Sequence, residues 1–103
     1  MSGFDNTSET VRTTAVATTL TANDYDLYVA AQAGNIVITV PSGALTIPGR
    51  TYSVTKDGAA FTVTLTPAAG LINGAATLVL AASAYHGAQI VTDGTNWITK
   101  ALF

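Results

Sequence analysis

Large apolar residues fall at every second position through most of this chain, and that spacing predicts strands. The clearest run is Phe61-Thr62-Val63-Thr64-Leu65-Thr66, where each odd position is large and apolar and each even one is threonine. Successive side chains of a strand point to opposite faces, so this segment has one dry face and one threonine face. Ile36, Ile38 and Val40 alternate in the same way with Asn35, Val37 and Thr39, and Tyr52 and Val54 with Thr51, Ser53 and Thr55. Leu78 and Leu80 share a face, as do Trp97 and Phe103. No stretch has the three-and-four apolar spacing of an amphipathic helix, and the many alanines sit beside Thr, Val, Gly and Ile, which favour strands or turns. The residues set to face a core or another subunit are Ile36, Ile38, Tyr52, Val54, Phe61, Val63, Leu65, Leu78, Leu80 and Trp97.

Turn residues punctuate these runs at short intervals. Lys56-Asp57-Gly58 predicts a hairpin between 51–56 and 60–66, and Asp93-Gly94-Thr95-Asn96 one between 87–92 and 97–102. Pro41-Ser42-Gly43 and Pro48-Gly49 bracket a short strand at 44–47, and Pro67 ends the run at Thr66. The remaining expected strands are 10–20, 25–31, 35–40 and 76–81, which makes eight or nine in all. Short, evenly spaced strands predict an all-β domain, an antiparallel β-sandwich or jelly-roll-like barrel.

The composition changes this picture in one respect. With 103 residues the chain forms one domain around one core. Only 10% of its residues are charged while 49% are hydrophobic, against about 25% charged in ordinary soluble domains. Exposed faces must therefore carry Thr, Ser, Asn and Gln, or be covered by other chains. The net charge is −2, and Arg12, Arg50, Lys56 and Lys100 form no run, which argues against nucleic acid as a partner. No window approaches the roughly 20 apolar residues of a membrane helix, and the polar start predicts no secretory signal. There is no cysteine, hence no disulfide and no thiolate metal site.

Residues 1–18 read as an N-terminal arm with a first strand, ahead of a β-sandwich module over 19–103. Phe4 is a lone aromatic anchor, and the Thr, Ala and Val run that holds Val11, Arg12 and Val16 suits strand addition to a partner. Those four residues are the candidate attachment points. Candidate chemistry is sparse. His86 is the single histidine, and pairing it with Ser53 or Ser83 and an aspartate is a pattern that any such chain would offer. Asp24 and Asp26 lack the further ligands of a calcium loop, and a turn role suits Asp24 better. No catalytic, cofactor-binding or metal-ligating residue is assigned, and no enzymatic activity is expected. Tyr25 and Tyr28 are the aromatics best placed for an exposed contact.

Six segments in order carry a resemblance. They are Thr19-Leu20-Thr21-Ala22-Asn23-Asp24-Tyr25, Gly34-Asn35-Ile36-Val37-Ile38-Thr39-Val40-Pro41, Gly49-Arg50-Thr51-Tyr52-Ser53-Val54-Thr55-Lys56, Val63-Thr64-Leu65-Thr66-Pro67, Ile72-Asn73-Gly74-Ala75 and Val91-Thr92-Asp93-Gly94-Thr95-Asn96-Trp97. Together, over roughly 19–98, they resemble a β-structured module of bacteriophage head fibres, tail fibres and capsid decoration proteins. The resemblance implies a trimeric protein on the virion surface, made in the host cytoplasm, without catalysis or cofactor. Low charge and threonine-rich faces agree with subunits that hide part of a sheet against one another. No fibre shaft accompanies the module, which favours a capsid decoration or head-fibre protein seated on the major capsid protein or another virion protein. The alternative is a receptor-binding knob or small tail-fibre component recognising a host surface glycan. A polysaccharide hydrolase is the weakest reading, because Glu9 is the one glutamate and a glycosidase needs two placed carboxylates.

Overall fold

The computed structural model describes residues 11–21, 24–31, 33–43, 47–57, 61–80 and 86–102. Phe4, Ser83, Tyr85, Phe103 and all but Ile47 of the strand expected at 44–47 lie outside the described residues. Nine strands follow in order: β1 (Val11–Thr14), β2 (Thr18–Thr19), β3 (Asp26–Val29), β4 (Ile36–Val40), β5 (Thr51–Lys56), β6 (Val63–Pro67), β7 (Leu78–Leu80), β8 (His86–Thr92) and β9 (Trp97–Leu102). They form a five-stranded sheet, β1-β3-β5-β8-β9, and a four-stranded sheet, β2-β4-β6-β7. The all-β class follows the alternation read from the chain.

The arrangement of the strands departs from an antiparallel sandwich or jelly roll. Up to β6 the chain changes sheet after every strand, so each return lies beside the previous strand of its sheet and runs the same way. Thus β1–β3, β3–β5, β2–β4 and β4–β6 are all parallel. The chain winds as three stacked coils, β1–β2, β3–β4 and β5–β6. Only then does it turn back, β7 running antiparallel to β6 and the β8–β9 hairpin antiparallel to β5. Each residue of β3 pairs with the one 27 positions later in β5 (Asp26 with Ser53), and each residue of β4 with the one 27 positions later in β6 (Ile36 with Val63). The second and third coils are therefore structural repeats.

Two expected elements change for the same reason. The hairpin expected between 51–56 and 60–66 does not form: β5 and β6 lie in different sheets, since β3 and β8 occupy both edges of β5. The strand expected at 10–20 divides into β1 and β2, because the chain crosses between sheets there. The Thr14 hydroxyl marks the crossing, donating to the Val16 carbonyl and accepting from its N–H. The expected boundary between residues 18 and 19 accordingly falls inside β2. The hairpin read from Asp93-Gly94-Thr95-Asn96 is present, with Asp93 Oδ1 accepting the N–H groups of Thr95 and Asn96.

The core lies between the sheets. Ile36, Ile38, Tyr52, Val54, Val63, Leu65, Leu80 and Trp97 are buried in it, and Phe61 and Leu78 pack half-buried against it. Leu20, Leu27, Val29, Val40, Ile72 and Ile90 complete its large members. Corners are stacked by hydrogen bonds as well as by packing. At the end of β5, the Asp57 N–H donates to the Val29 carbonyl, and its carboxylate accepts from the N–H of Ala31 one coil below. Lys56 points inward with Val54 and Tyr52, is fully buried, and donates through Nζ to the Asp57 carbonyl 2.7 Å away. A buried ammonium and carboxylate thus hold the corner where the chain crosses to β6.

Candidate functional site

Charge divides the two sheets. No Asp, Glu, Lys or Arg occurs in 27–49 or 58–92, so the four-stranded sheet carries none. Its outer face is built from side chains that alternate with the core: Val37, Thr64 and Val79 form one cross-strand row, and Thr19, Thr39 and Thr66 the next. Val37 and Val79 are 46% and 55% exposed. The result is a neutral face of methyls and hydroxyls.

Among the described residues β1 and β2 are the end strands of their sheets, and the first coil is closed inside by Arg12. Its position in β1 is in register with Leu27 and Val54, which aims the side chain between the sheets. There it grips Asp24 with two donors, Nε to Oδ1 at 3.0 Å and Nη2 to Oδ2 at 2.8 Å, and also reaches the Thr18 hydroxyl and the Thr19 carbonyl of β2. Asp24 in turn accepts from the Thr21 N–H and closes the 21–24 turn. Burial pushes the Asp24 carboxyl up, but Arg12 and the Thr21 N–H outweigh it and hold it below the usual carboxylate range. The same contact raises the Arg12 guanidinium. Asp24, considered above beside Asp26 for a cation, is therefore a turn residue paired with Arg12. No cluster of three or more His, Cys, Asp or Glu side chains occurs among the described residues.

Of the candidate attachment residues, Arg12 is thus tied into the fold. Val16 is exposed in the crossover, and Val11 starts β1 in register with Asp26. Phe4 lies outside the described residues, and the side chain of His86, which opens β8, lies outside the description too.

At the opposite end of β5, Arg50 lies between two rings, its guanidinium carbon 4.5 Å from the Tyr25 centroid and 4.2 Å from that of Tyr52. The two tyrosines occupy equivalent positions in successive coils, so the 27-residue repeat places one ring on each side. Arg50 Nη2 donates to the Asp24 carbonyl and Nη1 to the Thr51 carbonyl, while the Tyr52 hydroxyl donates to the Thr21 carbonyl. Burial raises the Tyr52 hydroxyl pKa despite the nearby Arg50 charge. Tyr25 remains 41% exposed. It lines an open recess of about 250 Å³ on the outer face of the five-stranded sheet, together with Asp26, Thr51, Ser53 and Gln89. Asp26, Ser53 and Gln89 form one cross-strand row, with Gln89 Nε2 donating to Ser53 Oγ at 3.3 Å. Arg50 and Tyr52 also line a second, more apolar cavity of about 170 Å³ with Leu20, Thr21, Pro41 and Ile47.

No protein-family model matches the chain, and neither does any curated protein. The site is therefore read from its own groups. The sequence pointed to Tyr25 as an exposed contact, and to Asp26 and Ser53 only for a calcium loop and a histidine pairing; it did not point to Arg50 or Gln89. The signal that brings Asp26 and Ser53 together is the spacing of Tyr25-Asp26-Leu27 and Tyr52-Ser53-Val54, which puts like positions of two coils side by side; Arg50 and Gln89 leave no such signal.

Proposed function

We propose that this chain is a structural subunit of a bacteriophage particle surface, a homotrimeric capsid decoration or head-fibre protein that acts by binding and not by catalysis. The observation that carries the reading is the neutral outer face of the four-stranded sheet, where exposed Val37 and Val79 flank Thr64 in one row. A charge costs several kcal/mol when it is buried unpaired. A face without charges is covered by a second subunit at no such cost, and its valines gain about 25 cal/mol per Å² removed from water. The resemblance of six ordered segments to phage fibre and decoration modules supports the particle context. The coil stack supports a structural role, because parallel ladders and a shared core hold consecutive coils together without a disulfide. The ionisable groups of the first coil and of the β5 corner have structural partners, Arg12 with Asp24 and Lys56 with Asp57.

Because the protein has no cysteine, single cysteines report directly on coverage. Val79→Cys on the neutral face should react with a maleimide several-fold more slowly than Thr13→Cys on the outer face of β1. Equal rates would mean that no subunit covers the four-stranded sheet. The particle context is tested in a phage lysate: the chain should sediment with particles, and its remaining wholly in the soluble fraction would contradict the reading.

A further inference from the structure

The recess on the five-stranded sheet has the makings of a ligand site on the face away from the neutral one. Its groups are of three kinds. Tyr25 supplies an aromatic ring that is partly exposed and lines the recess. Arg50 stacks on that ring, and its own donors are held by the Asp24 and Thr51 carbonyls, so the ring is fixed before any ligand arrives. Asp26 supplies a carboxylate which, among the described residues, has neither a hydrogen bond nor an ion pair. Gln89 and Ser53 supply an amide and a hydroxyl in the same row, already oriented by their mutual hydrogen bond. Thr51 closes the wall, its hydroxyl donating to the Gly49 carbonyl.

We infer that this recess binds one sugar ring of a glycan. A pyranose presents a patch of C–H groups that packs on an aromatic ring and a rim of vicinal hydroxyls. A carboxylate accepts from two adjacent hydroxyls at once, and the amide and hydroxyl supply the complementary donors and acceptors. The volume, about 250 Å³, suits one ring and not an extended chain. Asp26 also disfavours anionic ligands such as phosphates. A small, open, prebuilt site of this kind binds weakly, with a Kd of about 1 mM. Several copies on one particle would raise its avidity without new contacts. The inference does not depend on oligomeric state, so it stands or falls separately from the proposed trimer.

The test is a titration of the folded, isotopically labelled protein followed by amide NMR. Glucose, galactose, mannose and N-acetylglucosamine are added one at a time, with choline as a cationic probe of the same site. At least one sugar should shift the amides of Tyr25, Asp26, Ser53 and Gln89 in a saturable way. Tyr25→Ala and Asp26→Asn should each weaken binding about tenfold or more, whereas Tyr25→Phe, which keeps the stacking ring, should retain most of it. All three variants must show the wild-type amide dispersion. Failure of all four sugars to move these amides overturns the inference. So does a response to choline alone, which would assign the recess to cations, or binding that survives both Tyr25→Ala and Asp26→Asn.

Discussion

Arg12→Ala should loosen the first coil, and its cost follows from the geometry. The guanidinium makes two charge-assisted hydrogen bonds to Asp24 and two weaker contacts to β2. The Arg12 side chain is 36% exposed and that of Asp24 only 8%. Hydrogen bonds to charged groups contribute about 1.5–3 kcal/mol each when buried. Solvent screening on the Arg12 side lowers that figure, since exposed pairs are worth at most about 1 kcal/mol. Loss of Arg12 also takes the guanidinium partner away from a carboxylate that sits in a largely buried turn. The balance is a destabilisation of about 2 kcal/mol, which for a domain near 100 residues lowers Tm by roughly 10 °C. Arg12→Lys keeps the charge but not the fork of donors, so it should recover less than half of the loss.

Thermal unfolding followed by circular dichroism at fixed protein concentration reads this out, and a double cycle with Asp24→Asn isolates the pair. The pH dependence has a definite sign. The Asp24 pKa is lower folded than unfolded, so its stabilisation is complete above the unfolded value and disappears as pH falls through the folded one. The gap between wild type and Arg12→Ala should therefore be full at neutral pH and shrink as pH falls below the unfolded carboxylate value of about 3.9. A Tm within about 2 °C of wild type at neutral pH, or a gap that persists in acid, would refute the assignment of Arg12 as the closure of the first coil.

Adjacent substitutions in β6 should behave oppositely. Val63→Asp puts an unpaired carboxylate in the core at a cost of several kcal/mol and should abolish the cooperative unfolding transition, whereas Thr64→Asp should fold but lose self-association on gel filtration. Gly70→Ala combines a positive φ of 73° with a Cβ placed 2.5 Å from the Thr95 carbonyl oxygen. It should cost about 1–3 kcal/mol, visible as a lower denaturation midpoint. Asp57→Ala removes the acceptor for the Ala31 N–H beside the fully buried Lys56. It should destabilise by about 3–5 kcal/mol, more than any exposed substitution on the five-stranded sheet.

Much of the fold was legible because alternation reports a local property. A run such as Phe61 to Thr66 states which side chains are dry, and the structure buries Val63 and Leu65 between half-exposed threonines. Alternation says nothing about the neighbouring strand. Lys56-Asp57-Gly58 has hairpin composition, yet β5 has β3 on one edge and β8 on the other, so the following run had to enter the second sheet. The parallel order was encoded in a longer spacing: Tyr25, Leu27, Ile36 and Ile38 recur 27 residues later as Tyr52, Val54, Val63 and Leu65. Short strands at close intervals hide such a repeat, because every interval also fits a meander. The recess was harder to see. Asp26 and Gln89 are far apart in the chain and meet only because β5 separates their strands by one position each. Arg12 looked available for a partner, and only its register in β1 shows that it faces inward.

The central claim, a homotrimer joined through the neutral sheet, is tested most directly by the mass of the unmodified protein in solution. Sedimentation equilibrium across a range of concentrations should give three times the 10.5 kDa chain mass, and Val37→Asp together with Val79→Asp should reduce it to one. A wild-type mass that stays at 10.5 kDa at micromolar concentrations and above would contradict the account.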